Sequence, residues 1–222
     1  MIYFENRFID FFNQLKENNN KVWFDANRNS YETFVKKPFF EFVNEFIHNI
    51  QVHDPRIQVT ASDSIMRINK DIRFSKDKTP YKNNVAALIS LKGKKNKSFP
   101  GLFFQISAEF VEIYSGVYQP DKDQLNSIRE YIATNGKEFS NAYSDKNFIK
   151  KFGLIQGEKS KRIPAQFTDA IVKEPYISNK QFYFSAKQKS EIILKENFME
   201  IMMDYYLSGK ILSDFLEKAI NI

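Results

Sequence analysis

The chain has no cysteine, which removes disulfides, thiolate nucleophiles and thiolate-held zinc from consideration. Histidine is nearly as scarce: His48 and His53 alone are too few for an imidazole metal cluster, and neither sits in a recognisable motif. Seven glycines leave little room for a phosphate-cradling glycine loop. Ser75, in RFSKDK, lacks the glycine-flanked elbow that exposes a hydrolase nucleophile. No uncharged run approaches the span of a bilayer; VAALISL at 85–91 is strand-sized. The opening stretch MIYFENRFIDFF carries Glu5 and Asp10 and no basic leader, so it does not read as a signal peptide. The expected setting is the cytoplasm, with no membrane partner.

What remains is the composition of a globular protein, 42% hydrophobic and 27% charged. The apolar part is unusual in kind: 23 Phe and 11 Tyr stand against one Trp, so the core is expected to be filled by rings. With 222 residues, no repeat, no linker and no low-complexity tract, the chain reads as one domain over 1–222.

Hydrophobic periodicity changes twice along the chain. Phe8, Ile9, Phe11, Phe12 and Leu15 recur at helical spacing until KENNNK breaks them. Asp25 is placed to cap a second helix, and Pro38 to open a third whose inner face holds Phe39, Phe42, Val43, Phe46, Ile47 and Ile50. From about residue 56 the pattern alternates: IQVT, SIMRINKDIRF, NVAALISLK, GLFFQIS and EFVEIYSGVY read as strands with connections too short for crossover helices. After Pro120 helices return; KQFYFSAK reads as a late strand, and the end as two helices separated at Gly209. The expected fold is therefore α+β. Its mainly antiparallel sheet covers about residues 56–118 plus a strand near 182–187, packed by N-terminal and C-terminal helices.

Charge is concentrated. Residues 67–97 hold ten Lys and Arg against two Asp, a local balance of +8, which leaves the rest of the chain at −2 out of a total of +6. A bias confined to one segment predicts a local positive field. Its densest part is RINKDIRFSKDKTPYKNN (67–84). As a strand over 65–74, Ile68, Ile72 and Phe74 would share one face, interrupted by Lys70, while Arg67, Asn69, Asp71 and Arg73 line the other. In SKDKTPYK, Ser75, Asp77 and Thr79 can turn the backbone through their own side chains, and Pro80 stops regular structure, so Lys76, Lys78 and Lys82 would be held in place.

The segment DIRFSKDKTPYK (71–82) closely resembles the signature of a bacterial and fungal family known as a domain of unknown function, number 2461 in that series. Other pieces fit in order: VWFDANRNSY (22–31), PGLFFQIS (100–107), SGVYQP (115–120), LNSIREYI (125–132) and KRIP (161–164). The resemblance covers nearly the whole chain. Lys70 stands where that family would have an arginine, and Leu102 where an aromatic is common. The resemblance implies one compact domain and marks the motif as the place to look, without implying an activity.

Three functional readings follow from the residues. In the first, Arg67, Arg73, Lys76, Lys78 and Lys82 bind an anion, a phosphate-bearing small molecule or nucleic acid; the arginines clamp it and Asp71 orients them. Asp77 and Tyr81 support the site, and Tyr81, Trp23 or Tyr118 would offer a stacking surface. In the second, Asp71 and Asp77, with Glu109 or Glu112, hold a hard cation for a metal-assisted hydrolase or transferase, although no metal-ligand spacing is present and neighbouring cations would more simply neutralise those acids. In the third, the charges form an architectural salt-bridge network in a structural or interaction domain that binds no ligand. The KGKKNK turn (92–97) reads as a solvated hairpin tip. No cofactor is implied, and neither a reaction nor an oligomeric state is set by the sequence.

Overall fold

A computed structural model of the chain describes residues 1–96 and 98–221. Ten α-helices and four strands are found among the described residues. The fold is α+β: the strands β1 (Asn84–Ile89), β2 (Leu102–Ser107), β3 (Phe110–Val117) and β4 (Phe182–Lys189) form one antiparallel sheet in the order β1-β2-β3-β4. Strands β2 and β3 alternate between buried and half-buried positions, the signature of a sheet with one face against a core.

The chain divides into two compact units. The first comprises residues 1–89, 103–113 and 187–203, and the second 90–102, 114–186 and 204–222. In the first unit, α1 (Asn6–Glu17), α2 (Lys21–Ala26), α3 (Arg28–Tyr31) and α4 (Lys37–His53) supply most of the core. Phe39, Phe42 and Phe46 on one face of α4 meet Phe104 of β2 at ring-centroid distances of 5.8, 5.9 and 5.7 Å. Phe42 also stacks on Phe198 at 4.8 Å. Among the described residues the largest fully buried side chains are all phenylalanines, as the composition implied.

Local chemistry departs from the sequence expectation at two places here. Asn20, in the break between the helices, caps α2 by accepting from the Trp23 amide, while Asp25 instead pairs with Lys21 at 2.8 Å and Arg28 at 2.5 Å. Pro38 falls in the first turn of α4, as expected. Residues Glu32–Lys36 form a π-turn that runs on into α4. The wider turn accommodates a proline that has no N–H to give to the preceding turn. The sheet begins at Asn84 and not near residue 56. Thr60 and Asp63 close a reciprocal capping box around a one-turn helix, α5 (Ala61–Ser64), which overrides the alternating pattern.

The second unit contains α6 (Lys122–Thr134), α7 (Gly136–Tyr143), α8 (Lys146–Phe152), α9 (Thr168–Lys173) and most of α10 (Phe198–Ile220). Phe148 and Phe152 of α8 meet Phe184 of β4 at 4.9 and 4.8 Å. Gly209 does not separate two helices: α10 runs through it unbroken. A Cβ there would lie 2.7 Å from the Phe184 ring, so glycine serves close approach and not a break. Gly116, in β3, has φ +95°, and a Cβ on it would meet the Phe182 carbonyl oxygen at 2.3 Å.

Arg129 is the least expected core residue. It is 4% exposed on α6 and faces no carboxylate among the described residues. Its Nε donates to the Ile177 carbonyl at 2.9 Å, and Nη2 to Ser160 Oγ at 2.7 Å and the Asn179 carbonyl at 3.2 Å. One guanidinium therefore joins α6, the 3-10 turn Pro175–Ser178 and the segment around Ser160. Burial lowers its pKa from the ordinary arginine value.

Candidate functional site

The basic motif lies in the first unit and forms an irregular arm, not the strand expected over 65–74. Two antiparallel bridges tie it to the chain that follows, Ile65 with Ala87 and Asn69 with Tyr81. Four steps on one side are matched by six on the other, so no regular ladder forms between them. At the neck, the Lys70 amide donates to the Pro80 carbonyl and the Lys82 amide to the Ile68 carbonyl, each at 2.9 Å.

This pairing turns the backbone N–H and C=O of Tyr81 away from residue 69, as in any antiparallel pair flanked by its hydrogen bonds. Asn19 meets them. Its Oδ1 accepts from the Tyr81 amide at 3.1 Å, and its Nδ2 donates to the Tyr81 carbonyl at 2.9 Å and to Asn83 Oδ1 at 3.0 Å. The Tyr81 ring is buried and stacks on Phe24 of α2, with centroids 4.0 Å apart and planes 16° from parallel. The arm is thus clamped to the helices at its base. Asn19 was visible in the sequence only as part of a helix break; its role depends on a residue 62 positions away.

Beyond the neck, both acids of the motif are paired within the arm. Asp77 accepts from the Thr79 amide at 2.9 Å, from Thr79 Oγ1 at 2.8 Å and from Lys70 Nζ at 2.7 Å, while Lys70 also donates to Thr79 Oγ1 at 2.6 Å. Asp71 holds Arg73 at two points, Nε at 2.9 Å and Nη2 at 2.6 Å. Hydrogen bonds and cations hold both carboxyls below the usual aspartate range, from Lys70 and Thr79 at Asp77 and from Arg73 at Asp71. Lys78 Nζ donates to the Ile72 carbonyl at 3.0 Å. Arg67 and Lys76 are exposed and make no hydrogen bond or ion pair among the described residues. Lys82 is half-buried.

The aromatic residues are arranged differently from the expectation. Tyr81 is consumed by the core, Trp23 is half-buried against Phe11, and Tyr118 lies edge-on to Tyr183 in the second unit. Phe74, expected on the inner face with Ile68 and Ile72, is 95% exposed, because alternation ends where the loop begins. Glu109 pairs with Lys16 at 2.8 Å, and Glu112 accepts from Gln105 Nε2 at 2.5 Å. No set of three potential metal ligands among the described residues includes Asp71 or Asp77. The KGKKNK turn lies in the second unit, where Lys92, Lys95, Asn96, Ser98 and Gln119 line an open depression of about 490 Å³; Lys97 falls outside the described residues.

These features define an α+β protein with a four-stranded antiparallel sheet and a basic arm clamped to its N-terminal helices. The chain belongs to the family described as conserved hypothetical protein (DUF2461), whose pattern matches residues 7–215. No curated protein matches it. Among the described residues, no helix is long and apolar enough to cross a membrane.

Proposed function

We propose that the chain is a cytoplasmic protein that binds a phosphate-bearing ligand through the arm at Arg67, Arg73, Lys76, Lys78 and Lys82. The observation that carries this reading is the division of labour among the arm's charges. Six cations face two acids between residues 67 and 82, and each acid is taken up by an ion pair within the arm, Asp71 with its near neighbour Arg73 and Asp77 with Lys70 across the loop. The arm keeps a formal charge of +4 on a backbone tied at its neck and base. A tethered field of one sign raises local anion concentration and loses less entropy on binding than a loose lysine tail.

Asp71 occupies one edge of the Arg73 guanidinium and leaves its remaining N–H donors for a ligand. Arg67 and Lys76 make no hydrogen bond or ion pair among the described residues, so the reading rests on them more than on Arg73.

Titration calorimetry with pyrophosphate and with long-chain polyphosphate, at two salt concentrations, tests the proposal. Binding that weakens with salt and is lost in the Arg67→Ala, Lys76→Ala double variant, with unchanged thermal stability, supports it. The same affinity in wild type and double variant, or no binding of either anion, overturns it in favour of the architectural reading.

A further inference from the structure

Phe74 sits near the apex of the arm and is 95% exposed, whereas the next most open ring among the described residues, Tyr118, is 57% exposed. Among the described residues the Arg73 guanidinium lies over it, 5.9 Å from the centroid, and that group is itself held by Asp71. Phe74 is bracketed in sequence by Arg73 and Lys76, with Lys78 anchored to the Ile72 carbonyl just behind. Asp71 accepts from the Arg73 amide just before it, and Asp77 beyond it accepts from the Thr79 amide and from Lys70 across the loop, so the ring is carried on a braced turn.

An exposed ring with uncommitted cations near it in the chain is the minimal platform for a nucleobase: the π-face takes the base and the cations take the flanking phosphates. The base must have an open face, which duplex stacking covers and a single strand offers. Insertion into a lipid surface calls instead for several apolar side chains together, and the rest of residues 71–79 offers only a half-buried Ile72.

We infer that the arm binds single-stranded nucleic acid, with one base stacked on Phe74 and adjacent phosphates on Arg67, Lys76 and Lys78. The inference rests on the anion-binding reading above and goes beyond it by naming the polymer and the residue that reads its bases. Nothing in the arm selects ribose over deoxyribose, so the shared chemistry is base plus phosphodiester.

Fluorescence anisotropy with labelled oligo-dT, oligo-U and a mixed-sequence duplex of equal length tests it on the full chain. Because Phe74 is solvent-exposed, Phe74→Ala is expected to fold as wild type. The expected result is that Phe74→Ala weakens single-strand binding about tenfold or more with an unchanged salt slope, while Phe74→Trp retains binding and its emission is quenched by the oligonucleotide. Lys76→Ala is expected to lower the salt slope by about 0.7. Equal affinity for duplex and single strand, or indifference to Phe74→Ala, overturns the inference while leaving anion binding standing if polyphosphate still binds. Phe74-dependent binding to phosphatidylserine vesicles without oligonucleotide binding assigns the ring to a membrane surface and also overturns it. Failure of every polyanion to bind removes both readings.

Discussion

Replacing Arg129 by Met tests how this protein accommodates a buried cation with no carboxylate to neutralise it. Methionine keeps much of the stem volume and removes the charge. The Ile177 and Asn179 carbonyls and the Ser160 hydroxyl then lose the donors that now reach them at 2.9, 3.2 and 2.7 Å. Leaving buried polar groups unsatisfied costs about 1–3 kcal/mol each. Opposing this, the variant escapes the cost of keeping a guanidinium out of water, several kcal/mol per buried ion. With three acceptors stranded, the balance is a net loss of about 2–4 kcal/mol. At roughly 2–4 °C per kcal/mol for a chain of this size, the melting temperature should fall by about 5–15 °C. Arg129→Lys should also destabilise, because a single ammonium cannot reproduce the forked bonds to three acceptors on two segments. Thermal and urea unfolding followed by circular dichroism measures both. A Met variant as stable as wild type, or more so, would show that the cation's burial cost exceeds what its hydrogen bonds return, and would refute the reasoning.

Other consequences follow from particular contacts. Tyr81→Ala removes a buried ring stacked on Phe24 and should cost about 3–5 kcal/mol, read by urea unfolding; a loss under 1 kcal/mol would mean the arm is not anchored there. Gly116→Ala forces a side chain into left-handed backbone against the Phe182 carbonyl and should cost about 2–4 kcal/mol, whereas Gly93→Ala, also at positive φ but with open space around it, should cost less. Asp71 and Asp77 are held below their ordinary value of 3.8, so their bonds are intact above about pH 4 and give way only as pH falls through the lower folded values. Carboxyl NMR titration should place both midpoints under 3.8, and a midpoint at or above 4 for either would contradict the ion pairing. Because β2, β3, β4 and α10 each contribute residues to both compact units, the chain is expected to unfold as one domain, with coincident near- and far-ultraviolet dichroism transitions; two separated transitions would refute that.

Much of this protein was legible from residue order because its signals are local. The ring-filled core, the amphipathic face of α4, strands β1 to β3 and the late strand β4 follow from periodicities of a few residues, and the basic segment is a matter of counting. Family membership, too, was carried by contiguous motifs. Where the sequence pattern misled, a competing interaction had won. A capping box at Thr60 and Asp63 replaced a strand with a helical turn. Close approach by Phe184 explained a glycine that looked like a break.

The arm's geometry belonged to tertiary structure altogether. Why Tyr81 is buried while Phe74 stands in solvent, and why Asn19 grips a backbone 62 residues away, are settled only when separate segments meet. So is the role of Arg129, whose acceptors lie 31 to 50 residues along the chain. Periodicity records which side of an element faces the core, because that choice repeats every turn or every second residue. It carries no record of which polar group across the chain will satisfy a given donor, because that partner is chosen once, by folding.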